Sequence, residues 1–471
     1  MDASAQMLWH DADARDVYLR ELITDRLAKN PPPAIADAIV ATYFFAFRTQ
    51  RLEQAGEEIA YHATSGVRHP PAGSLLEACT ATAVGVEPLD NSGQAGLVHI
   101  AFPLKMMLQP DGHLTSSDLL HTIASAIIFD FYENQDAQLI DMQIPDQVLG
   151  TFPGPAHGPR GIRQLTGFAP DQPAFGTILK PTAGITPDVV ETLVADAARC
   201  PLFMFIKEDE DLYPNLSYAP VRERTRRAIA AIERARDARG GLGLVFAPHI
   251  SGAPHEILAT VDAVLEAGAT GVMFSETFAG GAVRMVREAT KHLPVPPVIY
   301  GHNAGISVKT RAIRRELIDL LARLDGIDLR QTAPVGPTTP MIRPYGAEWL
   351  ASEQALSRSI PGIKPTMIAR AGGLDQGNII LNLLDGERRG ITENLLFLAG
   401  SAINSIKDAD GKADPRRGAA AMTEAVQVYQ SGELRDVPPE EHVRTLAALA
   451  AAQGCGALQT ALRQRYPHIV N

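Results

Sequence analysis

Several things are scarce in this 471-residue chain, and each scarcity narrows what it can be. Cysteine occurs three times, at Cys79, Cys200 and Cys455, with no metal-ligand spacing. An odd, scattered set of thiols reads as reduced and buried, which fits an intracellular, cytoplasmic protein better than a disulfide scaffold. No stretch approaches the ~20 apolar residues of a membrane span. The N-terminal MDASAQMLWHDADARD is polar and acidic, without the apolar core of a signal peptide. Basic charge is in deficit: the net charge is −11. A nucleic-acid partner, which calls for a basic face, is therefore not expected, and a small anionic ligand needs a local positive site.

The remainder is ordinary globular composition, 45% hydrophobic and 21% charged, with length enough for two domains. Residues 1–36 read as a polar N-terminal extension ending near Pro31-Pro32-Pro33. From 37 to 158 strands and helices mix: strands at Ile39–Phe47, Ala81–Val86, Ala95–Phe102 and Ala137–Ile144, and helices at Arg51–Ala63 and Ser116–Phe131. This is an α+β unit, ferredoxin-like in class, closed by a Pro/Gly-rich connector around Pro153–Pro159.

Residues 159–413 are more regular. Short apolar strands begin at Phe175, Leu202, Gly243, Gly271, Pro297, Ile327, Met367 and Leu395, and amphipathic helices fall between them, among them Val308–Leu324. Eight strand–helix units in series predict a (β/α)8 TIM barrel. An open doubly wound sheet is the alternative, but it calls for a Gly-rich fingerprint after its first strand, and none is present. Residues 414–471 predict helices at Gly418–Gln430 and Glu441–Arg463, a helical C-terminal segment.

A barrel keeps its chemistry at the C-terminal tips of its strands, and the polar residues of this chain collect there. Strand 1 ends in Lys180-Pro181-Thr182 and strand 2 in Lys207-Glu208-Asp209-Glu210; His302 closes strand 5 and Arg330 lies on strand 6. Four charges ending an apolar strand must be solvated, paired or wrapped around a cation, and carboxylate oxygens suit Mg²⁺. A solvated acidic loop is the plainer reading of the same octet. Gly372-Gly373 after strand 7 and Gly400-Ser401 after strand 8 stand where barrels commonly bind phosphate through bare backbone N–H groups.

Three stretches resemble a known family. Thr151–Gly158 is similar to the T-F-x-G-P-x-H-G segment of ribulose bisphosphate carboxylase (RuBisCO) large subunits, Gly176–Pro181 to their T-I-x-K-P, and Phe205–Glu210 to their F-x-K-D-D-E. The resemblance implies Mg²⁺ on Lys207, Asp209 and Glu210, with CO₂ carried as a carbamate on Lys207, and proton transfer by Lys180. It also implies a homodimer with the active site at the subunit interface, where His62 stands in place of a family glutamate. Departures are as informative. Asn303 replaces an arginine, Ile306 a histidine and Thr182 a lysine, and the loop Ala333–Pro337 has no lysine.

These losses argue against CO₂ fixation and towards the RuBisCO-like, form IV group. The implied reaction is Mg²⁺-dependent enolisation or isomerisation of a phosphorylated, sugar-like substrate, by removal of a proton next to a carbonyl. Gly372, Gly373, Gly400 and Ser401 would hold the phosphate, and His302 and Arg330 a second polar group. Decarboxylation of a phosphorylated 3-oxo sugar acid remains open, and so does a catalytically silent scaffold.

Overall fold

The computed structural model describes residues 12–110, 112–336 and 346–470. The chain divides into two compact units. One comprises Met1–Phe152 with Val308–Ile318, the other Pro153–Ser307 with Asp319–Asn471.

The first unit holds a four-stranded antiparallel sheet: β1 Ala38–Phe47, β2 Thr82–Pro88, β3 Ala95–Pro103 and β4 Asn134–Gln143. Its order is β2–β3–β1–β4. With helices at Leu52–His62 and Ser116–Ile123 this is the βαββαβ arrangement of the ferredoxin-like class. β1 is central and buried along nearly its whole length, so it shows an apolar run in place of strict alternation. Tyr43, Phe45 and Phe47 stack along one face at centroid spacings of 5.3 and 5.2 Å. Phe44 faces the other way, into a cluster with Leu97, Ile140 and Ile23.

Ile23 comes from a segment that sequence reading treats as a polar lead-in. Residues Ala12–Lys29 are in fact an α-helix. Leu19, Ile23 and Leu27, four residues apart, put one apolar stripe on the sheet. The predicted helix 116–131 is interrupted: it ends at Ile123, and Ser125 is extended at ψ 167°. Thr115 caps it in a reciprocal capping box with Asp118, and the Tyr43 hydroxyl donates to the Ile123 carbonyl at 2.7 Å. The predicted helix 308–324 also divides, into Ile306–Lys309 and Arg315–Asp325. Between the two pieces Ile313 pairs with Leu139 of β4.

The second unit is an eight-stranded parallel barrel: β5 Ala174–Ile178, β6 Phe203–Lys207, β7 Val245–Ala247, β8 Gly271–Phe274, β9 Val298–Gly301, β10 Leu329–Thr332, β11 Met367–Arg370 and β12 Leu395–Ala399. Hydrogen bonding runs β8–β9–β10–β11–β12–β5–β6–β7. The last seam closes where His249 bridges Met273, through Met273 N to Pro248 O and Ile250 N to Met273 O, both 2.9 Å. All eight predicted strands are present, most of them shorter than expected, and the first begins one residue earlier, at Ala174.

Two apolar layers line these strands in alternation, except at the register shift in β6 where Met204 and Phe205 both join the interior. Met204, Phe205, Val245, Ala247, Met273, Tyr300, Leu329 and Ala369 fill the barrel interior. Phe203, Ile206, Phe246, Val272, Ile299, Ile368 and Phe397 pack outward against the helices. This parity decides which side chain at each strand tip faces the mouth.

The helices Pro415–Gln430, His442–Ala452 and Gly456–Arg465 follow the barrel, with a short turn of helix at Pro467–Val470. The predicted helix 441–463 breaks at Gly454, which takes φ +71°, where the Cys455 N–H returns to the Ala450 carbonyl.

Candidate active site

β6 carries the run that the sequence singles out. Ile206 belongs to the outer layer, so Lys207 turns inward. Its ammonium lies 5.6 Å from the ring centroid of Tyr300, itself an interior residue. Lys207 is wholly buried, donates to the Glu208 carbonyl at 3.1 Å and stands 3.7 Å from Glu210 Oε2. Burial pushes its pKa down, against the pull of Glu210 and Asp209. The three acids that follow separate. Asp209 accepts from Lys180 Nζ at 2.5 Å. Glu210 meets His302 Nε2 at 3.2 Å. Glu208 leaves the mouth for Arg224, bonded at 2.7 and 2.9 Å with both side chains fully buried.

The histidines are neutral, and their tautomers follow from their partners. Burial holds His302 well below the usual range. Its Nδ1 accepts from the Ala304 N–H at 3.1 Å, so Nε2 carries the proton and donates to Glu210. His249 is lowered to about 4, chiefly by burial. Its Nδ1–H donates to the Leu212 carbonyl at 3.1 Å, and its backbone N–H to Glu208 at 2.8 Å.

The donor set fits Mg²⁺ under one condition. Among the described residues no three His, Cys, Asp or Glu side chains converge as metal ligands. Two acids, Asp209 and Glu210, face the mouth beside a buried lysine whose ammonium form burial disfavours. A carbamate on that amine would convert a cation into the third oxygen ligand that the acids lack.

The glycines at the tips of β11 and β12 are open to a ligand. Gly372 and Gly373 take φ +86° and +105°, and a Cβ on Gly373 would meet nothing within 4 Å. Gln376 Nε2 bonds the Ala402 carbonyl at 2.7 Å and ties the two loops together. A Cβ on Gly400 would lie 3.5 Å from Lys180 Cε, so this loop borders the lysine paired with Asp209. Ser401 Oγ accepts from Arg465 at 3.4 Å.

Arg330 requires a correction. Leu329 lines the interior, so Arg330 turns outward, towards the helix Arg315–Asp325. Fully buried, it bonds Asp319 at 2.7 Å and forms an ion pair of 2.7 Å with Glu276 that is not aligned as a hydrogen bond. Burial alone would lower its pKa, but the two carboxylates outweigh it and the charge persists. Its guanidinium is paired with two carboxylates of the protein and has no exposed surface, although Nη1 and Nη2 have no hydrogen-bond partner among the described residues. Arg370 of β11 likewise faces outward, onto Glu353 and Asp385.

His62, exposed at the end of the helix Leu52–His62 with its ring 4.3 Å from that of Tyr61, belongs to the first unit. In the loop after β10, Ala333–Gly336 is described and Pro337 lies outside the described residues. Sequence reading missed Arg224, Arg465 and Tyr466. A fully buried glutamate demands a partner, which is a signal for Arg224; nothing in the sequence marks the C-terminal pair.

The catalytic domain of the ribulose bisphosphate carboxylase large chain matches residues 163–338. Ribulose bisphosphate carboxylase of Archaeoglobus fulgidus is 26% identical over 77% of this chain and 81% of its own length. The 3-oxo-isoapionate-4-phosphate decarboxylase of Rhizobium rhizogenes is 28% identical over 75% and 79%. The chain is similar to RuBisCO and to RuBisCO-like proteins, and its barrel carries the large-chain catalytic domain. Its fold agrees with solved structures. Octameric RuBisCO from Pyrococcus horikoshii superposes with a TM-score of 0.76 at 21% identity, covering 92% of this chain and 96% of that one. A RuBisCO-like protein, MtnW, from Alicyclobacillus acidocaldarius gives 0.74 at 23%, covering 91% and 99%.

A cavity of about 830 Å³ opens at the opposite, N-terminal end of the strands, beside His157, Arg160, Pro296, Lys364 and Glu393. Its cationic groups are engaged, Arg160 with Glu393 and Lys364 with the Ala156 carbonyl. Among the described residues no helix is long and apolar enough to cross a membrane.

Proposed function

We propose that this protein abstracts a proton next to the carbonyl of a phosphorylated, sugar-like substrate, with Mg²⁺ as cofactor, and does not fix CO₂. The observation that carries this reading is the pairing of Lys180 Nζ with Asp209 Oδ2 at 2.5 Å, beside the buried Lys207. In its amine form Lys180 takes the proton at Nζ, and Asp209 then holds the ammonium. Lys207, once its amine has added CO₂ and lost a proton, would hold the cation together with Asp209 and Glu210. When bound, Mg²⁺ supplies Lewis-acid stabilisation of the negative charge that develops on the substrate oxygen.

His302 Nε2–H orients Glu210 from the far side. Gly372, Gly373, Gly400 and Ser401 take the phosphate, and His302 also borders the substrate. His62 serves the site of the partner subunit in a homodimer. Enolisation or isomerisation is the first reading. Decarboxylation of a phosphorylated 3-oxo sugar acid is the second, favoured by the similarity to the Rhizobium decarboxylase. Outward-turned Arg330 and the substitutions at Asn303 and Ile306 support a substrate with one phosphate.

The test is exchange of the α-proton with D₂O across a panel of phosphorylated ketoses and 3-oxo acids. Lys180→Met should stop exchange while Mg²⁺ plus bicarbonate still raises the melting temperature. Lys207→Ala should abolish that rise. Retained exchange in Lys180→Met defeats the proposal, and a wild type that neither exchanges nor responds to Mg²⁺ and bicarbonate marks a silent scaffold. Release of CO₂ separates the two enzymatic readings.

A further inference from the structure

The C-terminal segment reaches the loops after β11 and β12, and the last residue of the helix Gly456–Arg465 arrives with unused hydrogen-bond donors. Two buried arginines of this barrel spend their donors on backbone carbonyls. Arg239 donates to five carbonyls, and Arg323 to four. Arg465 does not. Its Nη2 reaches Ser401 Oγ at 3.4 Å, its Nη1 stands 3.9 Å from Asp375 Oδ2, and its buried Nε has no hydrogen-bond partner among the described residues. With 24% of its side chain exposed, the guanidinium is held between the two loops but not saturated by them.

Asp375 is not dedicated to it. That carboxylate already accepts from the Tyr466 hydroxyl at 2.8 and 2.9 Å and from the Gly377 and Asn378 N–H groups at 2.8 and 3.1 Å. Tyr466 is itself seated with little freedom, since a Cβ on Gly377 would collide with its ring. The docking of Arg465 is thus specified by the residue that follows it.

The two loops joined by Arg465 are those whose glycines leave open space at Gly373 and border Lys180 at Gly400. Backbone N–H groups supply direction to a phosphate but no net charge, in a protein whose overall charge is −11. The guanidinium fork matches two phosphate oxygens, which would take up the Nη–H donors that the protein leaves unused. We infer that Arg465 is a phosphate-binding residue: the C-terminal segment contributes the cation of the anion subsite between the loops after β11 and β12. This rests on the reading above that the substrate carries a phosphate there.

The experiment is calorimetric titration of the full-length protein with inorganic phosphate at constant ionic strength, chloride serving as the control anion. Arg465→Met should weaken phosphate binding at least tenfold, and Arg465→Lys should weaken it less, because charge survives without the fork. The unfolding midpoint without phosphate separates this from misfolding. Gly373→Ala, which fills the open space, should also weaken binding. If Arg465→Met binds phosphate within twofold of wild type while Gly373→Ala is impaired, the arginine assignment is overturned and the phosphate site stands. If the wild type does not bind phosphate, or Gly373→Ala and Arg465→Met both bind as wild type does, the phosphate subsite itself is refuted and the arginine assignment falls with it.

Discussion

Glu208 and Arg224 form a bidentate pair, 2.7 and 2.9 Å, with neither side chain reaching solvent. Arg224 also donates to the carbonyls of Leu212, Tyr213, Pro214 and Ala219, pinning the loop that follows the acidic run. The first of the three acids in Lys207–Glu210 is therefore a structural anchor, and its neighbours are left to the mouth. Arg224→Met strands a buried carboxylate, and a loss of about 3–5 kcal/mol is expected. Urea unfolding measures it; a loss under about 1 kcal/mol would show that the pair contributes little and that Glu208 is free to move.

Arg330→Met leaves Asp319 and Glu276 without their cation on the outer face of β10. The expected effect is again a stability loss of about 3–5 kcal/mol, with the KM of whatever enzyme remains folded nearly unchanged. A large rise in KM at full stability would instead return Arg330 to the substrate.

Gly372 takes φ +86°, where an L-side chain is strained. Gly372→Ala should cost about 1–2 kcal/mol of stability and should also disturb the proposed phosphate loop. Thermal unfolding together with phosphate titration reports both effects, and an unshifted midpoint would contradict the backbone assignment.

His249 carries a pH dependence. It is faced by Glu208, Lys207 and Arg224, and by the ring of Tyr213 at 5.9 Å, and burial lowers it from 6.5 to about 4. Below pH 6.5 the unfolded chain takes up a proton at this site that the folded chain refuses until about 4. Folding is therefore penalised increasingly as the pH falls through that window, by up to about 3 kcal/mol. His249→Asn keeps a donor for the Leu212 carbonyl and removes the titration. Unfolding free energies at pH 7 and pH 5 should differ less in the variant than in wild type; equal differences would refute the assignment.

Much of the barrel was legible in the sequence because each strand is a short apolar run bounded by a helix-length interval, a local pattern that tertiary context seldom overrides. The helix 308–324 misled because its central residues pair instead with Leu139, a partner 174 residues away in sequence (313 − 139) that no local periodicity reports. The helix Ala12–Lys29 was missed because, among its described side chains, Leu19, Ile23 and Leu27 mark the buried stripe amid many polar residues.

What the sequence determined by itself was the inventory: a lysine and three acids at the end of β6, a lysine after β5, glycines after β11 and β12. Tertiary structure decided their use. Strand parity turned Lys207 inward and Arg330 outward, although both are cations on barrel strands. Arg224, sixteen residues on, drew Glu208 out of the acidic run, and the helix Gly456–Arg465 brought Arg465 to Ser401. The physical reason is the same in each case. A charge can be buried only where a partner from elsewhere in the chain meets it, and which partner arrives is settled by packing, not by neighbours in sequence.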